Sequence, residues 1–188
     1  MNLHLFSDSL KSPKLLAARL KCKIDCTMLK WLKLKYGFED WHAINPPSCR
    51  PYKKFVADII NKESPKVVVE VGCGLGDILN LIHADTKYGI DHSPEVIAAA
   101  QSIDRESTFL HGGFEKLGQI EDSEIDYVIV IGCLHYFSPS DLSKNLVPHL
   151  NKVKFLVLDQ FALNQAPVPG NNCPPYIHDF KFLDNIAR

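Results

Sequence analysis

Hydrophobic residues recur at helical spacing over the first part of the chain, between the pair Ser12-Pro13 and Gly37. A serine followed by proline is typical of a helix N-cap and first turn, and glycine is typical of the residue after a helix end. The pattern therefore predicts one long helix. We expect its apolar side to pack on the rest of the protein and its lysines to face solvent. The apolar positions are Leu16, Leu20, Ile24, Met28, Leu32 and Tyr36.

From residue 52 onward, short apolar runs alternate with helical patterns. Four of the six residues from Lys66 to Val71 are valine, which predicts a strand buried on both faces. Five strand–helix alternations predict an α/β fold, with a mostly parallel sheet and helices on both faces. Ligands of such sheets bind at the carboxyl ends of the strands. The predicted strands cover residues 66–71, 87–91, 108–111, 125–131 and 154–159, and the predicted helices cover residues 52–61, 78–82, 94–100 and 139–150.

The composition is that of a folded globular protein, with 46% hydrophobic and 23% charged residues in a chain of 188. No apolar run approaches the ~20 residues of a membrane-spanning helix. The N-terminus also lacks the basic region and apolar core of a signal peptide. We therefore expect the protein to be cytoplasmic.

Positive charge is concentrated towards the N-terminus. Residues 1–54 hold eleven Lys and Arg against four Asp and Glu, whereas the remainder holds ten against eighteen. The basic helix is expected either to present a solvated face or to bind an anionic partner, such as a membrane surface or a phosphate-bearing glycolipid.

Six cysteines are present, and no C-x-x-C pair occurs among them. Cys73 and Cys133 fall at or beside predicted strand ends, which favours reduced thiols over a disulfide framework. Cys22 and Cys26 are spaced like the start of an iron–sulfur motif, but Leu29 stands where that motif needs its next cysteine. We expect no metal site.

A glycine-rich turn, E-V-G-C-G-L-G-D, follows the first predicted strand and leads into a helix predicted to begin near Asp77. Glycine at positions 72, 74 and 76 lets the backbone take positive φ and lets a ligand approach the main chain closely. A strand, a glycine turn and a helix start together predict a ligand site.

The acidic residues around this turn discriminate between two classes of ligand. A dinucleotide needs its pyrophosphate at a helix N-terminus within G-x-G-x-x-G, but here the third glycine comes one residue early and Asp77 takes the last position. A carboxylate beside a pyrophosphate is repulsive. S-adenosylmethionine has no phosphate and carries a cationic ammonium and sulfonium, so Glu70 and Asp77 would attract it.

Three segments together resemble the class I S-adenosylmethionine-dependent methyltransferases in order and spacing. They are the glycine turn, Y-G-I-D seventeen residues beyond Gly74, and I-D-Y-V-I-V-I-G-C-L-H-Y-F, and the similarity covers Lys66 to Gln160. The resemblance implies a Rossmann-like domain over residues 65–188, preceded by a helical N-terminal extension and cap over residues 1–64. Only 28 residues follow Gln160, so we expect an abbreviated C-terminal end of the sheet.

The resemblance also implies roles for individual residues. Glu70 and the turn backbone would line the methionine and ribose parts of the cofactor, Asp91 would hold the ribose hydroxyls unless it only caps the next helix, and His92 would lie against adenine. Gly113 stands where the family often has an acid for the adenine amine, which leaves adenine to the backbone and ring of Phe114. The cofactor-binding residues so implied are Glu70, Gly72, Cys73, Gly74, Gly76, Asp77, Asp91, His92, Gly113, Phe114, Gly132 and Cys133.

The end of the fourth predicted strand would face both the methyl sulfur and the acceptor. His135 is the first candidate for a general base near neutral pH, with Tyr136 lining the pocket, although His135 could equally only pack there. Upstream of the turn, a loop-rich joint carries four candidate substrate-binding residues that could cover the site or form an interface between extension and body. These are Trp41, His42, Arg50 and Tyr52.

The predicted function is methyl transfer from S-adenosylmethionine to a small-molecule or glycan acceptor, at oxygen. Amino-methylating relatives carry an Asn/Asp-Pro-Pro-aromatic run at the fourth strand, but here N-P-P-S and C-P-P-Y lie elsewhere, at residues 45–48 and 173–176. Base methylation is therefore disfavoured, and no recognisable module supports a nucleic-acid partner. The alternatives are an NAD(P)-dependent oxidoreductase and a non-catalytic protein that binds S-adenosylmethionine or S-adenosylhomocysteine.

Overall fold

The computed structural model of the protein describes residues 13–43 and 46–159. Two helices precede the sheet, which is built from five strands with two further helices between them. The predicted C-terminal end, with the C-P-P-Y run, lies outside the described residues. The helices are α1 (Pro13–Tyr36), α2 (Pro51–Asn61), α3 (Pro94–Ile103) and α4 (Pro139–Asn145), and the strands are β1 (Val67–Val71), β2 (Thr86–Asp91), β3 (Thr108–His111), β4 (Ile125–Val130) and β5 (Val153–Leu158).

All five strands are parallel, in the order β3-β2-β1-β4-β5. The chain moves outward from β1 to β3, crosses back, and continues on the other side of β1 with β4 and β5. The order thus reverses between β1 and β4, and the carboxyl ends of these two strands border the crevice where such sheets bind ligands. The predicted parallel sheet is confirmed.

The valines of β1 alternate between two hydrophobic clusters, one on each face of the sheet. Val67, Val69 and Val71 pack in a cluster that includes Leu142 of α4. Val68 packs in the second cluster with residues of α2 and α3. Because both faces are covered by helices, a run of apolar residues without alternation suits this strand.

The helix predicted after the glycine turn is only a 3₁₀ turn, Leu79–Leu81. Asn61 at the end of α2 closes this segment, since its side-chain amide donates to the Leu81 carbonyl at 2.8 Å and its Oδ1 accepts from the His83 amide at 2.8 Å. The chain then enters β2 directly. As a result, the glycine turn is followed directly by a 3₁₀ turn and not by an α-helix.

The apolar positions of α1 do not form one inward side, contrary to the prediction. Leu32 is 2% exposed and packs on the body, whereas Leu16 is 65% exposed and Ile24 60%. Residues four apart advance about 40° around an α-helix at each step, so over five steps the row turns by about 200°. Leu16 and Tyr36, at the two ends of the row, therefore lie on opposite sides of the helix.

The other predicted elements differ from the structure only at their ends. The helix predicted to reach Leu150 stops at Asn145, and a 3₁₀ segment that contains Pro148 continues to Lys152. Proline lacks the amide that an uninterrupted helix would need there. Across the described part of the chain, none of the helices combines the length and apolar character needed to span a bilayer.

Candidate functional site

The glycine turn leaves β1 and is held against the end of β2. The backbone amides of Gly72 and Cys73 both donate to the Ile90 carbonyl, at 2.8 and 3.0 Å. Gly72 has a φ of 72°, and a Cβ at this position would lie 2.3 Å from the Sγ of Cys133 at the end of β4. Only glycine therefore allows the ends of β1, β2 and β4 to meet in this way.

Asp91, the last residue of β2, connects the turn to the start of α3. Its carboxylate is 3% exposed and accepts hydrogen bonds from the Gly74 amide at 2.9 Å and the Ser93 amide at 3.1 Å. The helix cap is Ser93 itself, whose Oγ accepts from the Val96 amide. The Nδ1 of the exposed His92 also lies 3.4 Å from Asp91 Oδ1. Since a carboxylate has about four acceptor positions and two are taken by the amides, Asp91 retains capacity for further donors, as a ribose diol would need.

Glu70 is a buried acid beside a buried ion pair. It is 2% exposed, burial raises its pKa to about 8 against the opposing effect of Lys53, and its Oε2 has no hydrogen-bond partner within the described part of the chain. Lys53 of α2 instead contacts Asp77, with 2.7 Å between Nζ and Oδ2. Of the two acids at the turn, Asp77 is thus paired with a lysine and Glu70 is not. The lysine was missed in the sequence because it precedes Asp77 by 24 residues.

Two residues of the joint lie over the glycine turn. The side chain of His42 is 5% exposed, and its Nδ1 is 3.6 Å from the place of a Cβ on Gly74. The Trp41 ring stacks on it with 3.5 Å between ring centroids. Burial lowers the pKa of His42, and Asp91 opposes this. His42 is therefore held in its neutral form, next to the predicted cofactor site.

The two other candidates of the joint lie farther along the chain towards α2. Arg50 immediately precedes α2, is half-buried, and adds slightly to the lowering of the His42 pKa. Tyr52 lies in the first turn of α2 and is 46% exposed. The structure thus brings His42 to the turn, with Trp41 stacked on it, and leaves Tyr52 about half exposed.

The predicted adenine side is formed by the segments that follow β2 and β3. His92 is exposed, and its backbone carbonyl lies 2.9 Å from the Nε2 of His111 at the end of β3. Phe114 is 1% exposed and packs in the core, with 4.5 Å between its ring centroid and that of Phe137. The Phe114 ring is therefore part of the core and is not exposed to the predicted cofactor site.

Glu115 fills the room of the side chain that is absent at Gly113. Its Oε1 accepts from the Gly113 amide at 2.8 Å, and its Oε2 is 3.0 Å from the place of a Cβ on Gly113. An acid thus stands close to the expected position, although it comes from two residues later. The signal was present in the sequence, in L-H-G-G-F-E-K-L, but only the folded loop shows where the carboxylate lies.

The ends of β4 and β5 place an imidazole near an acid. His135, in the 3₁₀ turn Leu134–Tyr136, has its ring centroid 4.0 Å from that of Tyr136. Asp159 follows β5, and its Oδ2 accepts from the Gly132 amide at 2.8 Å. Burial lowers the pKa of His135 and Asp159 opposes this, while burial raises the pKa of Asp159 itself. Asp159 could have been found as an acid at the carboxyl end of the predicted fifth strand.

The cysteines at the strand ends have packing roles. The thiol of Cys133 donates to the Val71 carbonyl at 3.1 Å, and Cys73 is 2% exposed in the cluster beneath α2 and α3. Burial raises the pKa of both thiols. Both are therefore protonated near neutral pH, which makes them poor nucleophiles.

Comparisons with known proteins are consistent with this geometry. Residues 68–153, from β1 to the start of β5, match the family described as "Methyltransferase domain". The comparison with curated proteins gives no significant match.

Several solved structures share the fold. Magnesium protoporphyrin IX methyltransferase from Synechocystis PCC 6803 with bound S-adenosylmethionine is 18% identical, with a TM-score of 0.53 over 73% of this chain and 65% of that chain. Its complex with S-adenosylhomocysteine gives a TM-score of 0.54 at 18% identity, over 73% of this chain and 70% of that chain. CalS10, an amino pentose methyltransferase from Micromonospora echinaspora, is 16% identical, with a TM-score of 0.52 over 76% of this chain and 60% of that chain.

The chain spans 65% of the length of the first of these proteins, and at such identities the likeness concerns the fold. The family match favours S-adenosylmethionine over a dinucleotide as the ligand class, because it names a methyltransferase domain. The 3₁₀ turn after the glycines agrees, since a pyrophosphate would need an α-helix N-terminus there. Over residues 68–153 the chain therefore matches a methyltransferase domain, within a fold that it shares with methyltransferases crystallised with bound S-adenosylmethionine.

Proposed function

We propose that the protein transfers a methyl group from S-adenosylmethionine to an oxygen atom of a small-molecule or glycan acceptor. The observation that carries this proposal is the pair of buried acids, Glu70 and Asp91, at the carboxyl ends of β1 and β2. A cationic cofactor without phosphate complements Glu70, and a vicinal diol complements the free acceptor positions of Asp91. Glu115 would accept a hydrogen bond from the adenine amine.

The acceptor class is supported by the end of β4 and by the relatives. The strand ends in G-C-L-H rather than in the Asn/Asp-Pro-Pro run of amino-methylating enzymes. One relative is named for a porphyrin substrate and another for an amino pentose, both of which are small molecules. The joint with Trp41 and His42 would close the cofactor side of the crevice.

The protein needs to form no covalent bond with the substrate in this reaction. Bound S-adenosylmethionine supplies an electrophilic methyl carbon, so positioning the acceptor in line supplies most of the catalysis. His135 would accept the proton of the acceptor hydroxyl, because burial lowers its pKa and keeps the imidazole neutral near pH 7. Asp159 would stabilise the imidazolium that forms.

We also place this reaction in the cytoplasm. Five cysteines are free thiols in the described part of the chain, including Cys22 and Cys49 with their sulfurs 3.5 Å apart. Neighbouring thiols persist unpaired in a reducing compartment.

Asp91→Asn tests the cofactor assignment. The wild-type protein is expected to bind S-adenosylhomocysteine in calorimetric titration and to give no heat with NADH. The substitution should weaken S-adenosylhomocysteine about ten- to hundredfold, because one charged acceptor of the ribose diol is lost. Asp85→Asn, at an exposed position before β2, is the matched control and should bind as the wild type. Unchanged affinity in Asp91→Asn, or binding of NADH alone, would contradict the assignment.

Glu70→Gln tests the buried acid through the pH dependence of stability. Between pH 4.5 and about 8 the folded state holds a proton on Glu70 that the unfolded state has released. The free energy of unfolding of the ligand-free protein should therefore fall as pH rises through this window, by at most about 1.4 kcal/mol per pH unit. Urea unfolding should show a flatter profile for Glu70→Gln, and the wild-type profile for Glu63→Gln, an exposed position. Parallel profiles for wild type and Glu70→Gln would refute the assignment of the proton.

Glu115→Ala tests the replacement of the missing acid. We expect the wild type to bind S-adenosylhomocysteine about tenfold more tightly than S-inosylhomocysteine, whose base has no exocyclic amine to donate. The variant should lose this preference, since it lacks the acceptor. Glu106→Ala, at an exposed position after α3, should retain it. A variant that still discriminates between the two bases would remove Glu115 from the adenine site.

His135→Gln should lower turnover at least about a hundredfold while S-adenosylhomocysteine affinity stays unchanged, since the residue acts on the acceptor proton. Turnover is measured as S-adenosylhomocysteine release with a panel of phenols and monosaccharides. Asp159→Asn should shift the acidic limb of the kcat/KM profile to lower pH, because Asp159 raises the pKa of His135. If the wild type binds S-adenosylhomocysteine but methylates no acceptor in the panel, the non-catalytic alternative gains instead.

A further inference from the structure

Helix α1 carries a second apolar surface on the side that faces away from the body. We call these five exposed residues the outward stripe. Leu29, on the far side of the helix from the stripe, and Leu32, next to Met28 at its border, are 3% and 2% exposed and pack on the body. The outward stripe comprises Leu16 (65% exposed), Leu20 (59%), Ile24 (60%), Met28 (42%) and Trp31 (56%).

Basic residues border the outward stripe along its length. The helix holds seven Lys and Arg against one Asp. At about 100° per residue, Arg19, Lys23 and Lys30 follow one edge of the stripe. Lys21 lies at the other edge, and Lys35 lies in line with the stripe at its C-terminal end. The Nζ of Lys35 lies 5.0 Å from the centroid of the Trp31 ring. This surface therefore presents apolar side chains beside a row of positive charge, with two further lysines at its other edge and its end.

A groove lies within the same surface and is lined by Lys23, Ile24, Thr27, Met28 and Trp31. Apolar side chains in such numbers on one exposed side indicate a surface that is covered in the working state. A second copy of α1 would bring two helices of strongly positive charge together, and like charges at close range repel. An anionic surface would instead attract the lysines, so no such repulsion would arise.

We propose that the outward stripe docks on the surface of a bilayer that contains anionic phospholipids. The helix lies in the plane of the interface, with its apolar side chains among the headgroups and upper acyl chains. Trp31 is suited to this depth because its ring is apolar and its indole N–H can remain hydrated. The flanking lysines reach the phosphates, and long lysine side chains allow this while their stems stay in apolar surroundings.

The docked helix would hold the cofactor site close to the membrane. The inner side of α1 packs, through Leu29 and Leu32, in one cluster with Leu75, which lies within the glycine turn. The turn is thus separated from the outward stripe by about one helix diameter, ~10 Å. An acceptor at the membrane surface would need to travel only a short way to the crevice.

Co-sedimentation of the full-length protein with vesicles tests this docking. The protein should bind vesicles of phosphatidylcholine with about 30% phosphatidylglycerol, and bind phosphatidylcholine alone much more weakly. Raising the salt concentration should weaken binding, because it screens the lysines. Failure to bind the anionic vesicles would overturn the proposal. This holds whether another segment of the chain covers the stripe or the stripe stays exposed.

Two variants separate the apolar and the charged contributions. Ile24→Ser/Trp31→Ser should lower the partition constant at least about tenfold, because less apolar surface is buried in the interface. Lys23→Gln/Lys30→Gln should lower it about fivefold for each lysine lost. All four side chains are exposed, so circular dichroism and thermal unfolding should match the wild type.

Matched controls place the substitutions elsewhere on the surface. Ile103→Ser at the end of α3 and Lys66→Gln/Lys144→Gln change exposed residues outside α1 and should leave vesicle binding unchanged. Equal losses in controls and stripe variants would mean that binding is unspecific and would refute the stripe. A dimer in light scattering that Ile24→Ser/Trp31→Ser converts to monomer would instead assign the stripe to a second copy. Vesicle binding is measured without cofactor, so its outcome is independent of methyl transfer.

Discussion

The hydrogen bonds between the glycine turn and the end of β2 determine the rest of the site. β1 is buried on both faces at the centre of a parallel sheet, so its chain must leave the sheet within a few residues and without unpaired amides. The Ile90 carbonyl takes the amides of Gly72 and Cys73, and Asp91 takes that of Gly74. These three bonds hold the turn against the end of β2 and fix the position of the Asp91 carboxylate.

A second constraint is electrostatic. Lys53 acts on both acids of the turn, and it pairs with Asp77 rather than with Glu70. Glu70 stays buried, protonated in the absence of a ligand, and short of one hydrogen bond at Oε2. Groups with such strongly perturbed pKa values are concentrated at functional sites. The site thus contains a protonated acid that would ionise when a cationic ligand binds beside it.

Local features of the structure could be predicted well from the sequence, and tertiary contacts could not. The buried valine run predicted β1, and the Ser93-Pro94 pair predicted the start of α3, because both signals act within a few residues. The direction of the α1 side chains was predicted wrongly, since a row of every fourth residue looks like one face in the sequence but winds around the helix. Partners such as Lys53 for Asp77, or Asp159 beside His135, depend on contacts between distant segments. No local pattern encodes them.

The contact between Gly72 and Cys133 has a consequence for changing the acceptor specificity of this protein. The missing Cβ at Gly72 leaves room that the Cys133 sulfur occupies, so the ends of β1 and β4 pack directly against each other. A larger residue at position 133 would press on the turn that carries the cofactor, and a smaller one would leave a gap beneath it. Substitutions meant to change the acceptor are therefore better made at Tyr136, which is 44% exposed, than at Cys133.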